Sequence, residues 1–322
     1  MRTLVTGGAG YIGSHVAWLL RERGHEVVMF DDLSTGHADA ARGPLVVGDL
    51  CRRDQVLEAF GEHRPEAVLH FAARSLVGES VRDPRRYFHD NLLGALNLLD
   101  AMLAHGVQRF VFSSTAATYG EPVTVPIPEE HVQRPVNPYG DTKLAIERML
   151  VAYASAYGLR YAILRYFNAA GAAPEQGLGE RHDPETHLIP LLLQVASGRL
   201  PSAQIFGRDY DTPDGTCIRD YIHVLDLADA HVLALDRLAK GEASVALNLG
   251  TGSGHSVLQV LQCAREVTGA EIPAVDCPRR AGDPPSLVAA ADRARRELGW
   301  TPTRSDLPTL VGSAWEFARQ RA

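Results

Sequence analysis

The sequence predicts an α/β fold, a doubly wound parallel sheet with a smaller, discontinuous α/β domain towards the C-terminus. Three observations predict it. Up to about Arg165, short apolar runs rich in β-formers alternate with segments of helical period, the pattern of a parallel sheet covered on both faces. A glycine-dense turn joins the first such run to the first helical segment. Beyond about Asn168 the chain turns irregular, rich in Gly, Pro, Asp and His through His187, and then mixes helices with short strands.

In chain order, strands are predicted at Thr3–Thr6, Glu26–Phe30, Leu45–Val47, Ala67–His70, Phe110–Ser113 and Tyr161–Leu164. A helix is predicted from Asp83-Pro84 to His105, because Asp can cap, Pro is tolerated in the first turn and Gly106 is a C-terminal stop. Another opens at Tyr139 and continues through Leu144, Ile146, Met149 and Leu150. After the irregular stretch come helices at Leu188–Gly198, Asp226–Leu238 and Ser256–Thr268, and a strand at Val245–Leu249 predicted to return to the sheet. The division is therefore 1–167, with later segments at about 220–250 returning to it, and 168–322 for the remainder.

At 322 residues, 45% hydrophobic and 22% charged, the chain suits one large domain or two interdigitated ones. A formal net charge of -7 argues against a nucleic-acid binder, and an anionic ligand would need local arginines. Cys51, Cys217, Cys263 and Cys277 lie far apart with no C-x-x-C pair, which reads as reduced structural thiols. The N-terminus runs straight into the glycine turn, leaving no room for a secretory leader, and no apolar run approaches the roughly 20 residues of a membrane span. The expectation is a soluble, cytoplasmic protein.

The turn Gly7-Gly8-Ala9-Gly10-Tyr11-Ile12-Gly13 lies between a strand and a helix, the context in which such glycines let the backbone approach a pyrophosphate at a helix N-terminus. Asp31 closes the second strand, where a carboxylate accepts hydrogen bonds from an adenosine ribose and repels a 2′-phosphate. The sheet is thereby predicted to be of Rossmann type and the cofactor to be NAD rather than NADP. Asp49-Leu50, after the third strand, is placed at the adenine edge.

Tyr139 and Lys143 stand four residues apart and share one helical face. A phenol is a poor base at neutral pH, and a cation held beside it lowers its pKa towards the working range. Ser113-Ser114-Thr115 follows the fifth strand, at the sheet edge where ligands of open α/β folds gather. An NAD turn, a strand-end hydroxyl and a Tyr/Lys helix are the parts needed for hydride transfer at a secondary alcohol. His182 and His187 are the nearest metal candidates, but without H-E-x-x-H or an accompanying carboxylate cluster no metal is expected.

These segments, with His70-Phe71-Ala72-Ala73, Val77-Gly78-Glu79-Ser80, Leu164-Arg165-Tyr166-Phe167-Asn168, Gly215-Thr216 and Arg219-Asp220-Tyr221-Ile222-His223-Val224, resemble the extended short-chain dehydrogenase/reductase family over essentially the whole chain. The resemblance implies Tyr139 as base, Lys143 as its electrostatic partner and nicotinamide-ribose ligand, and Thr115 as the hydroxyl that aligns the sugar. It implies cofactor contacts from Gly7, Gly10, Tyr11, Ile12, Gly13, Asp31, Asp49, Leu50, Phe71, Ala72, Asn91 and Tyr166, and from Arg74, which stands where relatives usually carry lysine. Asn168, Leu188, Phe206, Arg219, Arg280 and Asp283 would hold a UDP moiety, the two arginines supplying planar forks for its diphosphate. Leu287 would limit the room beside the sugar C2 substituent.

The activity implied is 4-epimerisation of a UDP-hexose, interconverting UDP-galactose and UDP-glucose through a 4-keto intermediate that turns over in the site while hydride passes to NAD and back. N-acetylated UDP-hexoses and UDP-pentoses are alternative substrates, and a non-catalytic NAD-binding scaffold is the alternative from another class. A 4,6-dehydratase would need an Asp-Glu pair where Ala116 and Ala117 stand, and an NADP reductase a basic residue near Asp31-Asp32. The helices of Pro84–His105 and Tyr139–Tyr157 resemble the pair with which family members form a homodimer.

Overall fold

The computed structural model describes residues 1–280 and 282–321. Seven strands form one all-parallel sheet: β1 (Arg2–Thr6), β2 (Glu26–Asp31), β3 (Leu45–Val47), β4 (Ala67–His70), β5 (Arg109–Thr115), β6 (Arg160–Tyr166) and β7 (Val245–Leu249). Their spatial order is β7-β6-β5-β4-β1-β2-β3, so the direction of winding reverses beside β1. A crevice opens at such a reversal, beyond the carboxyl ends of the strands.

Near-continuous apolar runs make these strands fit a sheet buried on both sides. One face packs α1 (Tyr11–Glu22) and a helix contributed late in the chain, Val224–Ala239, around Val16, Leu20, Leu227 and Leu235. The other face packs α2 (Arg53–His63), α3 (Gly94–Ala104) and α4 (Pro138–Tyr157) around Phe60, Leu98, Phe112 and Ile146. A separate core around Leu192, Ile205, Leu261 and Leu310 joins the helices Leu188–Ala196, Val257–Thr268 and Leu307–Arg319.

The predicted helix from Asp83 to His105 is not continuous. Asp83 does cap it, accepting from the Arg86 amide at 3.2 Å, but after Pro84–Tyr87 the chain makes a π-helical turn over Phe88–Leu93 before α3 begins. π-turns inside helices cluster at functional sites, and this one carries Asn91.

Candidate active site

At the turn after β1, Gly7 has φ +69°, a conformation that side chains with a Cβ rarely adopt. A Cβ on Gly13 would lie 2.1 Å from the Gly7 carbonyl oxygen, so only glycine lets α1 begin this close to the turn. Gly10 precedes α1 without a side-chain cap, leaving the leading amides of the helix to an outside acceptor. Asp31 is buried and accepts from the amides of Ala9 and Leu33, each at 2.9 Å. Burial pushes its pKa up and these hydrogen bonds oppose the rise, with the net shift upward. A backbone cradle with a fixed carboxylate at its far end fits an adenine dinucleotide.

Every cofactor position read from the sequence lines one cleft of about 680 Å³ that runs from this turn across the ends of β4, β5 and β6. Asp49 is spent partly on its own turn, accepting from the Cys51 amide at 2.8 Å. Asn91 accepts from the Arg74 amide at 2.8 Å and donates to the Arg74 carbonyl at 3.1 Å and to Thr142 Oγ1 at 3.0 Å. It therefore ties the loop after β4 to α4. Arg74 itself donates through Nε to Asp90 at 3.0 Å, so its charge is neutralised within the wall of the cleft.

Asn137 caps α4, accepting from the Gly140 amide at 2.9 Å, and this fixes Tyr139 on the first turn and Lys143 on the second. Lys143 is 2% exposed, donates to the Ser113 carbonyl at 2.9 Å and lies 5.9 Å from the centre of the Tyr139 ring. Burial lowers its pKa to about 7, against the pull of Glu147 one turn further along the helix. Burial also pushes Tyr139 up to about 12, and the hydrogen bond with Thr115 acts in the opposite direction. The chain alone therefore raises the phenol instead of lowering it: helical spacing puts the pair on one face, but cannot show how dry that face is. Glu147 in turn is buried against Arg165 at 2.7 Å, and Arg165 donates to the Tyr119 hydroxyl at 2.9 Å.

On the far side of the cleft lie Asn168, Arg219, Asp283 and Leu287. Arg219 is ion-paired with Asp283. Three of the residues read as UDP ligands stand elsewhere. Leu188 lines an adjoining cavity of about 360 Å³. Arg280 stacks on the Phe206 ring with its guanidinium carbon 4.1 Å from the ring centre, and borders a third depression beyond Asp283. Glu180, His182 and His187 line both the cleft and the adjoining cavity. The sequence reading passed over them as site residues, and the signal available was their spacing, E-x-H-x-x-E-x-H from Glu180 to His187.

A dinucleotide cradle opening onto a Tyr/Lys/Thr group with its lysine buried defines a nicotinamide-dependent enzyme that works on a secondary alcohol. The chain belongs to the NAD dependent epimerase/dehydratase family, whose sequence pattern matches residues 3–250. It is 55% identical over 319 residues to a UDP-glucose 4-epimerase of Corynebacterium glutamicum, covering 98% of this chain and 95% of that one. Among solved structures, the UDP-glucose 4-epimerase of Brucella ovis in complex with NAD superposes with a TM-score of 0.95 at 50% identity, covering 98% of this chain and 97% of the other. The enzyme of Stenotrophomonas maltophila, with bound NAD and formylated UDP-arabinopyranose, gives a TM-score of 0.96 at 43% identity, covering 100% and 98%.

Proposed function

We propose that the protein inverts C4 of a UDP-hexose and interconverts UDP-galactose and UDP-glucose. The observation that carries this reading is the placement of Thr115, Tyr139 and Lys143 in the same cleft as the glycine cradle and the Asn168–Arg219 wall. When bound, NAD supplies a hydride acceptor that returns what it takes. Gly7, Gly10 and Gly13 would hold its pyrophosphate, Asp31 its adenosine ribose and Lys143 its nicotinamide ribose, with Asn91 and Tyr166 lining the same cleft.

Tyr139 removes the C4 hydroxyl proton and later gives it back, and Thr115 aligns that hydroxyl. Since burial, opposed by the hydrogen bond with Thr115, still leaves Tyr139 at about 12, the phenolate depends on positive charge, and Lys143 is the chain's own source of it. Asn168, Arg219 and Asp283 anchor the UDP so that the sugar turns without leaving, remote binding energy holding the reacting centre. Leu188, and Arg280 with Phe206 stacked on it, reach it only from the adjoining depressions. In this reading residues 1–167 and the returning segments carry NAD, and the rest mainly the UDP-sugar. Leu287, intermediate in size at the position beside the sugar C2 substituent, keeps UDP-N-acetylhexosamines and UDP-pentoses as alternative substrates. No helix among the described residues is long and apolar enough to cross a membrane, and we place the protein in the cytoplasm. Leu96 and Leu103 on α3, with Val151 and Tyr157 on α4, are exposed apolar side chains that suit a homodimer interface.

The test is incubation with UDP-galactose and, separately, UDP-N-acetylgalactosamine without added NAD, following the anomeric protons by NMR. Glucose-type signals are expected, and Tyr139→Phe is expected to slow them by about 10²- to 10⁴-fold, the usual worth of a positioned base. Silence from the unaltered protein on both sugars even with NAD supplied would remove the reading.

A further inference from the structure

We infer that the loop from Glu180 to His187 binds one divalent transition-metal cation of the zinc class through Glu180, His182, Glu185 and His187. One donor atom from each of the four lies within 4.8 Å of all the others. Nδ1 of His182 and Nδ1 of His187 stand 2.9 Å and 2.6 Å from the same Glu180 oxygen, and a Glu185 oxygen is 3.3 Å from His187 Nδ1. Two imidazole nitrogens and two carboxylates are the donor set that borderline cations such as zinc take. The sequence reading expected no metal for want of H-E-x-x-H and an accompanying carboxylate cluster, yet Glu180 and Glu185 flank the histidines in the chain and the loop brings all four together.

Charge gives a second, independent reason. The Glu180 and Glu185 side chains are 7% and 6% exposed. Among the described residues the ion-pair partners of both are histidines alone. Arg181, within the same loop, is turned away and forked onto Asp39 at 3.0 and 2.9 Å, and Arg321 pairs with Asp39 as well. Two carboxylates are thus taken out of water with no fixed cation beside them, an arrangement that costs free energy unless protons or a metal compensate.

A cation at the centre would be reached by the same donor atoms that now bond one another. Orientation is already provided: a Glu185 oxygen accepts from the amides of Thr186 and His187 at 2.7 and 2.8 Å, support of the kind that fixes metal ligands. The Tyr11 ring stands edge-on to His182 at 6.5 Å, its hydroxyl donated to the Gly171 carbonyl and so not competing for the site. His187, 46% exposed, leaves an open face towards the cleft for water or an anion's oxygen.

The inference does not depend on the catalytic reading, and its test reads metal rather than turnover. Full-length protein stripped with a chelator is titrated with Zn²⁺ against a zinc-sensitive dye. One zinc per chain is expected, unaffected by Cys51→Ser and weakened at least about tenfold by His182→Ala and by Glu180→Gln. Circular dichroism and NAD binding check that each variant is folded. Absence of binding by the unaltered protein, binding indifferent to both loop variants, or binding lost with Cys51→Ser, which would move the metal to Cys51, His89 and Asp90, each overturns the inference.

Discussion

The two ends of the cleft are held by different physics. At the glycine turn, shape does the work: Gly13 stands where any Cβ would meet the Gly7 carbonyl at 2.1 Å, and the ligand-facing groups are backbone amides. At the mouth of α4, buried charge does it, with Lys143, Glu147 and Arg165 packed within two turns of helix and the adjacent strand. The first should fail by steric clash, indifferent to pH. The second should fail electrostatically and respond to pH.

Glu147→Ala breaks the charged end, and it is the largest effect expected. Removing one partner of a buried ion pair leaves Arg165 uncompensated and costs about 3–5 kcal/mol. Denaturant unfolding should show it, and a loss below 1 kcal/mol would mean that water or Tyr119 takes over the carboxylate's role. Gly13→Ala breaks the other end. Overpacking of about 1–3 kcal/mol is expected, together with loss of NAD binding, both unchanged between pH 6 and 9. An alanine variant that still binds NAD normally would show that the turn yields where the geometry says it cannot.

A comparison across pH sharpens the contrast. Burial lowers Lys143 to about 7 from its ordinary 10.5, so between those values the unfolded chain holds the proton more tightly than the folded one. Stability therefore rises with pH across that window, the contribution being absent below pH 7. Compared from pH 7 to about 9.5, below the range where Tyr139 and other tyrosines ionise, the unaltered protein should gain more than Lys143→Met. Equal gains would place the pH dependence elsewhere.

What was legible in the sequence follows the same division. The sheet and the glycine turn were, because strand periodicity and a strand-turn-helix glycine pattern are local. Each main-sheet strand lies within a residue or two of its predicted place. The break in the helix before Gly94 was not, because the residues of Phe88–Leu93 are ordinary helix formers and the π-turn answers to Asn91's bonds with Arg74 and Thr142, distant in sequence. The charge of Arg219 could be read, but not its pairing with Asp283, nor the pairing of Arg74 with Asp90. The upward push of burial on Tyr139 was not legible for the same reason: a spacing of four gives a shared face, whereas the pKa also depends on how much water that face meets.

One feature of the sheet bears on how the chain is made. Its edge strand, β7, and the helix Val224–Ala239 that covers α1 are synthesised only after the helix Leu188–Ala196 of the separate core. At 5–20 residues per second, β6 waits for its neighbour while about 80 residues emerge, roughly 4 to 16 s. During that interval the open edge of β6 and the apolar side of α1 around Val16 and Leu20 stand unpaired. Chains halted between Tyr166 and Val224 should therefore be the ones that aggregate or recruit chaperones, and slowing synthesis in that stretch should lower the yield more than slowing it elsewhere.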